Sequence, residues 1–387
     1  MVNDVMAYQA GMEIIKSDIF NRVTEGCDAF KPESFTLSDV MTALAKDKLD
    51  VSDFGALLSP CAEKLLENMA ARAKIETARY FGNTVRLYTP LYISNFCVNH
   101  CLYCAFGSFN KIKRGKLTED EIKRELAAIA ETGIDDVLIL TGESREASGI
   151  EYIGKAVKLA AGYFSTVGIE VYPLNTGEYS YMHEQGADFV SVYQETYDLG
   201  VYDAIHPQGP KRCFPYRFHS QERAVNGGMR GVSFGVLLGM GDASRDAYAA
   251  GLHAYYLQKK HPHAEISFSV PRVRAYDAPV RVNADVTGES HIGERKLLQI
   301  MLAYRLFMPF AGISISTRER KAFRDNVLGI CATKISAGVR VGVGGYDTEQ
   351  KGSEQFVLSD SRSVIEVHNA IRDIGMQPVY TDHIRIR

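Results

Sequence analysis

Cys97-Val98-Asn99-His100-Cys101-Leu102-Tyr103-Cys104 places three cysteines at C-x3-C-x2-C spacing, directly after an apolar run over residues 87–93. Three thiolates this close together can hold an iron–sulfur cubane, which has four irons. One iron is then left without a protein ligand and is free to bind and reduce something else. A zinc knuckle is the alternative. It calls for a fourth ligand, and His100 lies inside the loop rather than after it.

Working outward, residues 86–93 read as a strand whose C-terminal end delivers the cysteine loop. A helix over 118–132 follows: Thr118 and Glu121 form a capping box, Ile122, Leu126 and Ile129 make the buried stripe, and Gly133 closes it. Further strands are expected over 136–140, 168–173, 188–193, 231–238, 265–270, 312–317 and 333–339. The clearest helices between them are 152–164, 244–260, 294–308 and 320–328. Eight nearly continuous apolar strands with helical crossovers predict an α/β protein with a parallel sheet buried on both faces, closed as a (β/α)8 TIM-type barrel. Residues 83–345 would form that barrel. Residues 1–82 read as an N-terminal helical extension packed on it, with a helix opening at Ser59-Pro60 and ending at Gly82-Asn83. Residues 346–387 read as a C-terminal helical tail, its helix over 363–374.

The chain has 387 residues, 46% hydrophobic and 24% charged, with a net charge of -3. That balance gives no basic field for nucleic acid or an anionic membrane. No apolar run reaches the roughly 20 residues of a membrane span. The start carries no basic segment of the signal-peptide kind. Cys27, Cys61, Cys213 and Cys331 are scattered, as buried thiols are, and the expected compartment is a reducing cytoplasm. His261 and His263 sit in a polar linker and read as solvated. Gly342, Gly344 and Gly345 form no G-x-G-x-x-G and read as a turn.

Chemistry in such a barrel gathers at the C-terminal strand ends. Those ends carry Thr141-Gly142-Glu143, Asn175 to Tyr179, Tyr193-Gln194-Glu195-Thr196-Tyr197, Pro271-Arg272-Val273-Arg274, Ser316-Thr317-Arg318-Glu319 and Ser336. Glu143 can pair with an ammonium group or cap the next helix. Gln194 and Glu195 can bind a ligand or open a helix. Arg318 can clamp a carboxylate or pair with Glu319.

The cysteine loop resembles the CxxxCxΦC signature of radical S-adenosylmethionine (SAM) enzymes, with Tyr103 as the aromatic. The flanking Leu91-Tyr92-Ile93-Ser94-Asn95-Phe96 is similar to the aromatic amino-acid lyases of that class, most of all the tyrosine lyases. The resemblance implies a [4Fe-4S] cluster on Cys97, Cys101 and Cys104. It implies SAM held by Tyr103, by Thr141, Gly142 and Glu143 (a GGE motif with Thr first), and by Gln194 and Glu195 of a YQETY run. Arg212 or Lys211 of an HPxGPK-like loop would face the SAM carboxylate, and backbone around Leu238, in a GxIxGxxE-like run ending in Asp242, would approach adenine. Arg318 of an STRE run, assisted by Ser336, would bind the carboxylate of the substrate, with Glu195 beside its amine. The implied reaction is reductive cleavage of SAM to methionine and a 5'-deoxyadenosyl radical, hydrogen abstraction from L-tyrosine, and Cα–Cβ scission to 2-iminoacetate and p-cresol for thiamine thiazole formation. Tryptophan cleavage is the alternative within the branch, and a non-catalytic iron–sulfur or zinc module the alternative outside it. A flavodoxin- or ferredoxin-type donor and thiazole synthase are the implied partners. No cysteine follows Cys331, so the second cluster of the hydrogenase maturases is not expected.

Overall fold

The computed structural model describes residues 4–273 and 292–381. Eight parallel strands close on themselves: β1 (Thr84–Ser94), β2 (Asp136–Thr141), β3 (Thr166–Glu170), β4 (Phe189–Ser191), β5 (Gly231–Gly235), β6 (Glu265–Ser269), β7 (Gly312–Ile315) and β8 (Lys334–Ser336). Closure is made by β1, which pairs β8 through Arg86 to Tyr88 and β2 through Thr89 to Ser94. Helices cover the outside, so the apolar strand residues are buried on both faces as the sequence predicts.

Several expected elements are shorter than their apolar runs. The third strand, expected over 168–173, runs Thr166–Glu170, so Asn175 and Glu178 are not at its end. They form the capping box of the helix Thr176–Gln185, and Glu178 holds Arg145 at 2.5 Å. The helix expected from Pro60 begins as a 3-10 turn, Pro60–Leu65, before Leu66–Phe81; Gly82, at φ +61, ends it.

The N-terminal helices Ile19–Ala29, Val51–Leu58 and Leu66–Phe81 lie on the barrel helices Ala243–Lys260 and Glu294–Phe307. Phe54 stacks on Phe307 at 4.3 Å between centroids. The tail is not only helical. After Val364–Asp373, β9 (Gln377–Val379) adds in parallel to the start of β1.

The tail also crosses the barrel mouth. Val339, Val341, Gln355 and Phe356 line the cavity there. The glycine-rich turn at 342–345 binds an anion supplied by the chain itself. The Glu125 carboxylate accepts from the backbone N–H of Gly345, Tyr346, Asp347 and Thr348 at 2.7–3.4 Å.

Candidate active site

The cysteine loop leaves β1 and is fixed from several sides. Arg114 donates to the carbonyls of Asn95, Phe106 and Gly107, each at 2.7 Å. His100 N–H donates to Gln208 O at 2.9 Å, and Lys211 N–H to Asn99 Oδ1 at 2.9 Å. The HPxGPK-like loop is therefore a buttress of the cysteine loop. Its Gly209, at φ +105, sits where a Cβ would collide with Asn99. Gly142 has the same role at the end of β2, where a Cβ would strike Phe96 O.

Cys101 is buried, Cys97 and Cys104 half-buried, and Cys104 lines the central cavity. Burial pushes the thiols of Cys97 and Cys101 up. Ionising them as ligands therefore calls for a cationic centre. Among the described residues, no three His, Cys, Asp or Glu side chains gather as a single metal ion would need. One zinc ion requires every sulfur about 2.3 Å from one point. A cubane binds its three cysteines at three separate irons, so the zinc alternative has no support here.

Glu143 accepts from Asn99 Nδ2 at 2.6 Å, and Val98 N–H donates to Glu143 O at 2.8 Å, so this carboxylate stands against the cysteine loop rather than capping a helix. Burial raises its pKa, opposed by Arg217 and Asn99. Glu195 is the one non-glycine residue with positive φ among those described, at 72°. Lys211 Nζ holds its carboxylate at 2.7 Å and Arg217 Nη2 at 3.4 Å. Burial works to raise its pKa, but these two cations outweigh burial and lower it. Tyr103 hydrogen-bonds His206 Nε2 at 2.9 Å. The His206 Nδ1–H donates to Tyr202 O at 2.9 Å, which leaves Nε2 to accept from the tyrosine hydroxyl. Burial keeps that imidazole neutral.

Two expected cofactor residues face elsewhere. Arg212 is held by His206 O at 3.1 Å and by the Asp203 carboxylate, so Lys211 and Arg217 are the cations at Glu195. The backbone N–H and C=O of Leu238 are bonded to Pro271 O and Val273 N–H, and its side chain is in the core; Leu237 lines the cavity instead. Asp242 caps the helix Ala243–Lys260.

Ser316, Arg318 and Ser336 line the same cavity. The alternative partner of Arg318, Glu319, is gripped by Arg272 through Nε at 2.8 Å and Nη2 at 2.5 Å. Arg272 is thereby structural, and Arg274 lies outside the described residues. The Arg318 guanidinium lies 3.8 Å from the Phe356 ring centroid. Ser336 sits deeper, 3.4 Å from Arg324 Nη2.

The cavity also contains residues given no role from sequence: Tyr88, Tyr92, Glu170, Tyr193, Gln355 and Phe356. Tyr88, Pro90 and Tyr92 alternate along β1, a period that a strand turns toward one face. Glu170 is a lone carboxylate inside an apolar strand, which was the available signal. Gln355 and Phe356 arrive from far along the chain and left none.

The donor set fits the implied cofactors. Three cysteines lie on one short loop, with Cys104 on the cavity, while Thr141 Oγ1 and Gln194 Nε2 are buried without partners. Orphaned buried polar atoms of this kind are what a polar ligand satisfies.

Residues 91–249 match the Radical SAM superfamily, and residues 269–377 the Biotin and Thiamin Synthesis associated domain. The 2-iminoacetate synthase of Escherichia coli K12 is 38% identical over 348 residues, which is 90% of this chain and 91% of that protein. The enzyme of the same name from Salmonella typhimurium is 37% identical over the same length. Among solved structures, the FeFe-hydrogenase maturase HydG from Carboxydothermus hydrogenoformans superposes with a TM-score of 0.85. It is 27% identical, and the match covers 95% of this chain and 86% of that one. The barrel, the cysteine loop and a relative of this identity along nine-tenths of the chain lead to one conclusion: the chain belongs to the 2-iminoacetate synthase family of radical SAM enzymes.

Proposed function

We propose that this protein cleaves the Cα–Cβ bond of L-tyrosine, giving 2-iminoacetate and p-cresol, as the step that supplies the thiazole ring of thiamine. The observation that carries this reading is that Cys104, Glu195 and Arg318 line one cavity at the C-terminal strand ends. Cys97, Cys101 and Cys104 hold the [4Fe-4S] cluster. Glu143, Thr141, Gln194 and Tyr103 hold SAM, and Glu195 stands between SAM and the substrate amine. When bound, the cluster and SAM supply a one-electron abstraction of hydrogen. The chain's own part is placement and exclusion of water. Arg318 offers a planar fork to the substrate carboxylate, with Ser316 and Ser336 on the same side. Phe356, against the guanidinium, keeps water from its face. A flavodoxin- or ferredoxin-type protein supplies electrons, and thiazole synthase takes the imine, in a reducing cytoplasm.

The test is anaerobic incubation with SAM, reductant and either tyrosine or tryptophan, with products identified by mass spectrometry. Tyrosine should give p-cresol and 5'-deoxyadenosine; skatole-type or indole acids from tryptophan, with no p-cresol, would overturn the reading. In Arg318→Lys the charge remains but the fork is lost. Misplacement of about 1 Å costs on the order of 100-fold in rate. That variant should still cleave SAM slowly, with 5'-deoxyadenosine in excess of p-cresol.

A further inference from the structure

Glu170 is the last residue of β3 and faces the cavity. Other interior carboxylates have a partner that holds them directly: Asp136 has Arg86 and Lys334 at 2.8 and 2.7 Å, Glu195 has Lys211, Glu319 has Arg272, and Glu143 has the Asn99 amide at 2.6 Å. Glu170 forms no ion pair among the described residues; the Ser191 hydroxyl is near it, and the charges of Arg318 and Arg217 act on it without contact. A barrel carboxylate with spare acceptor sites and no cation in contact is costly to keep. A ligand that donates a hydrogen bond there removes part of the cost.

Position selects the donor. Arg318 stands in the loop beyond the end of β7, and Cys104 and Tyr103 in the loop beyond β1, so both lie at the barrel mouth. Glu170 is still within its strand and therefore deeper. An amino acid has its carboxylate and amine on one carbon, so both stay at the mouth. Only the far end of the side chain reaches Glu170. Tyr88 and Tyr193 line the same cavity, with serine hydroxyls near their own, Ser336 by Tyr88 and Ser191 and Ser269 by Tyr193. Those rings offer aromatic surface, while Glu170 holds the open acceptor.

Resting on the tyrosine reading above, we infer that Glu170 accepts the hydrogen bond of the substrate's ring hydroxyl and so selects para-hydroxylated aromatic amino acids over phenylalanine. Burial, and then the nearby charge of Glu195, push its carboxyl up to about 7, the behaviour of a group short of donors.

The test is calorimetric binding of tyrosine and of phenylalanine to cluster-loaded, SAM-bound enzyme without reductant, so that nothing turns over. Wild type should bind tyrosine well and phenylalanine poorly. Glu170→Leu should bind tyrosine about 10- to 100-fold more weakly, the value of a hydrogen bond to a charged group, and phenylalanine no worse than wild type. Glu170→Gln keeps the shape and an acceptor oxygen and should restore the preference for tyrosine. Equal loss of both amino acids in Glu170→Leu and Glu170→Gln would overturn the inference and leave the lyase reading intact. Unchanged tyrosine affinity in both variants would do the same. Wild type that binds no tyrosine would overturn both readings.

Discussion

At the scale of the residue, the site is built from charges whose partners are chosen by burial. Glu195 and Asp246 sit in neighbouring positions with opposite outcomes. Glu195 has Lys211 and Arg217, and its pKa falls. Asp246 accepts from Tyr197 N–H at 2.7 Å and Thr196 Oγ1 at 2.9 Å but has no cation; burial pushes it up to about 7. Asp198 and Asp242 face it and raise it further, with Tyr197, Tyr304 and Cys27 also near. Its folded pKa lies above the unfolded value of 3.8. The native state therefore binds the extra proton, and stability falls as pH rises from about 4 to about 7. Asp246→Asn keeps the acceptor oxygen and removes the titration. It should be more stable than wild type at pH 8, by up to about 4 kcal/mol at 1.36 kcal/mol per unit, with the advantage gone near pH 4. Urea unfolding of the two proteins at both pH values checks this. Asp246 holds the Thr196 hydroxyl and the Tyr197 N–H, the two residues that follow Glu195.

At the scale of the element, the tail after β8 is attached by polar anchors rather than by a large apolar face. Glu125, on the helix Glu119–Glu131, takes four backbone N–H donors from the turn around Tyr346 and is wholly buried. Arg362 bridges Asp325 and Asp360, and Arg324 reaches Asp360 from the barrel side. These contacts set the position of Gln355, which accepts from Tyr92 Oη at 2.7 Å, and of Phe356 against Arg318. Glu125→Gln offers one acceptor oxygen and an unwanted donor where five donors converge. It should cost about 1.5–3 kcal/mol, the range for a hydrogen bond to a charged group, and should increase hydrogen exchange at 342–348 while the barrel strands stay protected. An exchange map unchanged in that turn would show that the tail is held elsewhere. The joining of Arg324 to Asp360 and of Arg362 to Asp325 gave no sign in the sequence, since each pair is more than 30 residues apart in the chain.

At the scale of the whole molecule, the barrel is a scaffold and the cysteine loop is an attachment to its rim. Cys101 accepts from Cys104 N–H within its own loop and is not part of the main hydrophobic core. Cys101→Ala should therefore fold, with the thermal midpoint of the cluster-free protein near wild type. It should fail to retain a SAM-cleaving cluster, since two thiolates remain. Iron and sulfide analysis after anaerobic reconstitution, with a 5'-deoxyadenosine assay, measures both, and wild-type 5'-deoxyadenosine formation would remove Cys101 from the ligand set. The sequence by itself determined the barrel, because strand burial on both faces writes itself as short apolar runs between amphipathic helices. It determined the cysteine triad as well, since loop spacing is local. Glu143, Glu195 and Arg318 were legible for a related reason: each stands two to four residues past a strand end, where this fold gathers chemistry. Only the tertiary structure decided which neighbours those residues have. It assigned Lys211 and Arg217 rather than Arg212 to Glu195, took Glu319 away from Arg318, and put Leu237 rather than Leu238 on the cavity. It added β9 to β1 and brought Gln355 and Phe356 to the site. Such pairings depend on distances between strands far apart in the chain, and on which of two adjacent side chains a strand end turns inward. Composition and spacing carry neither.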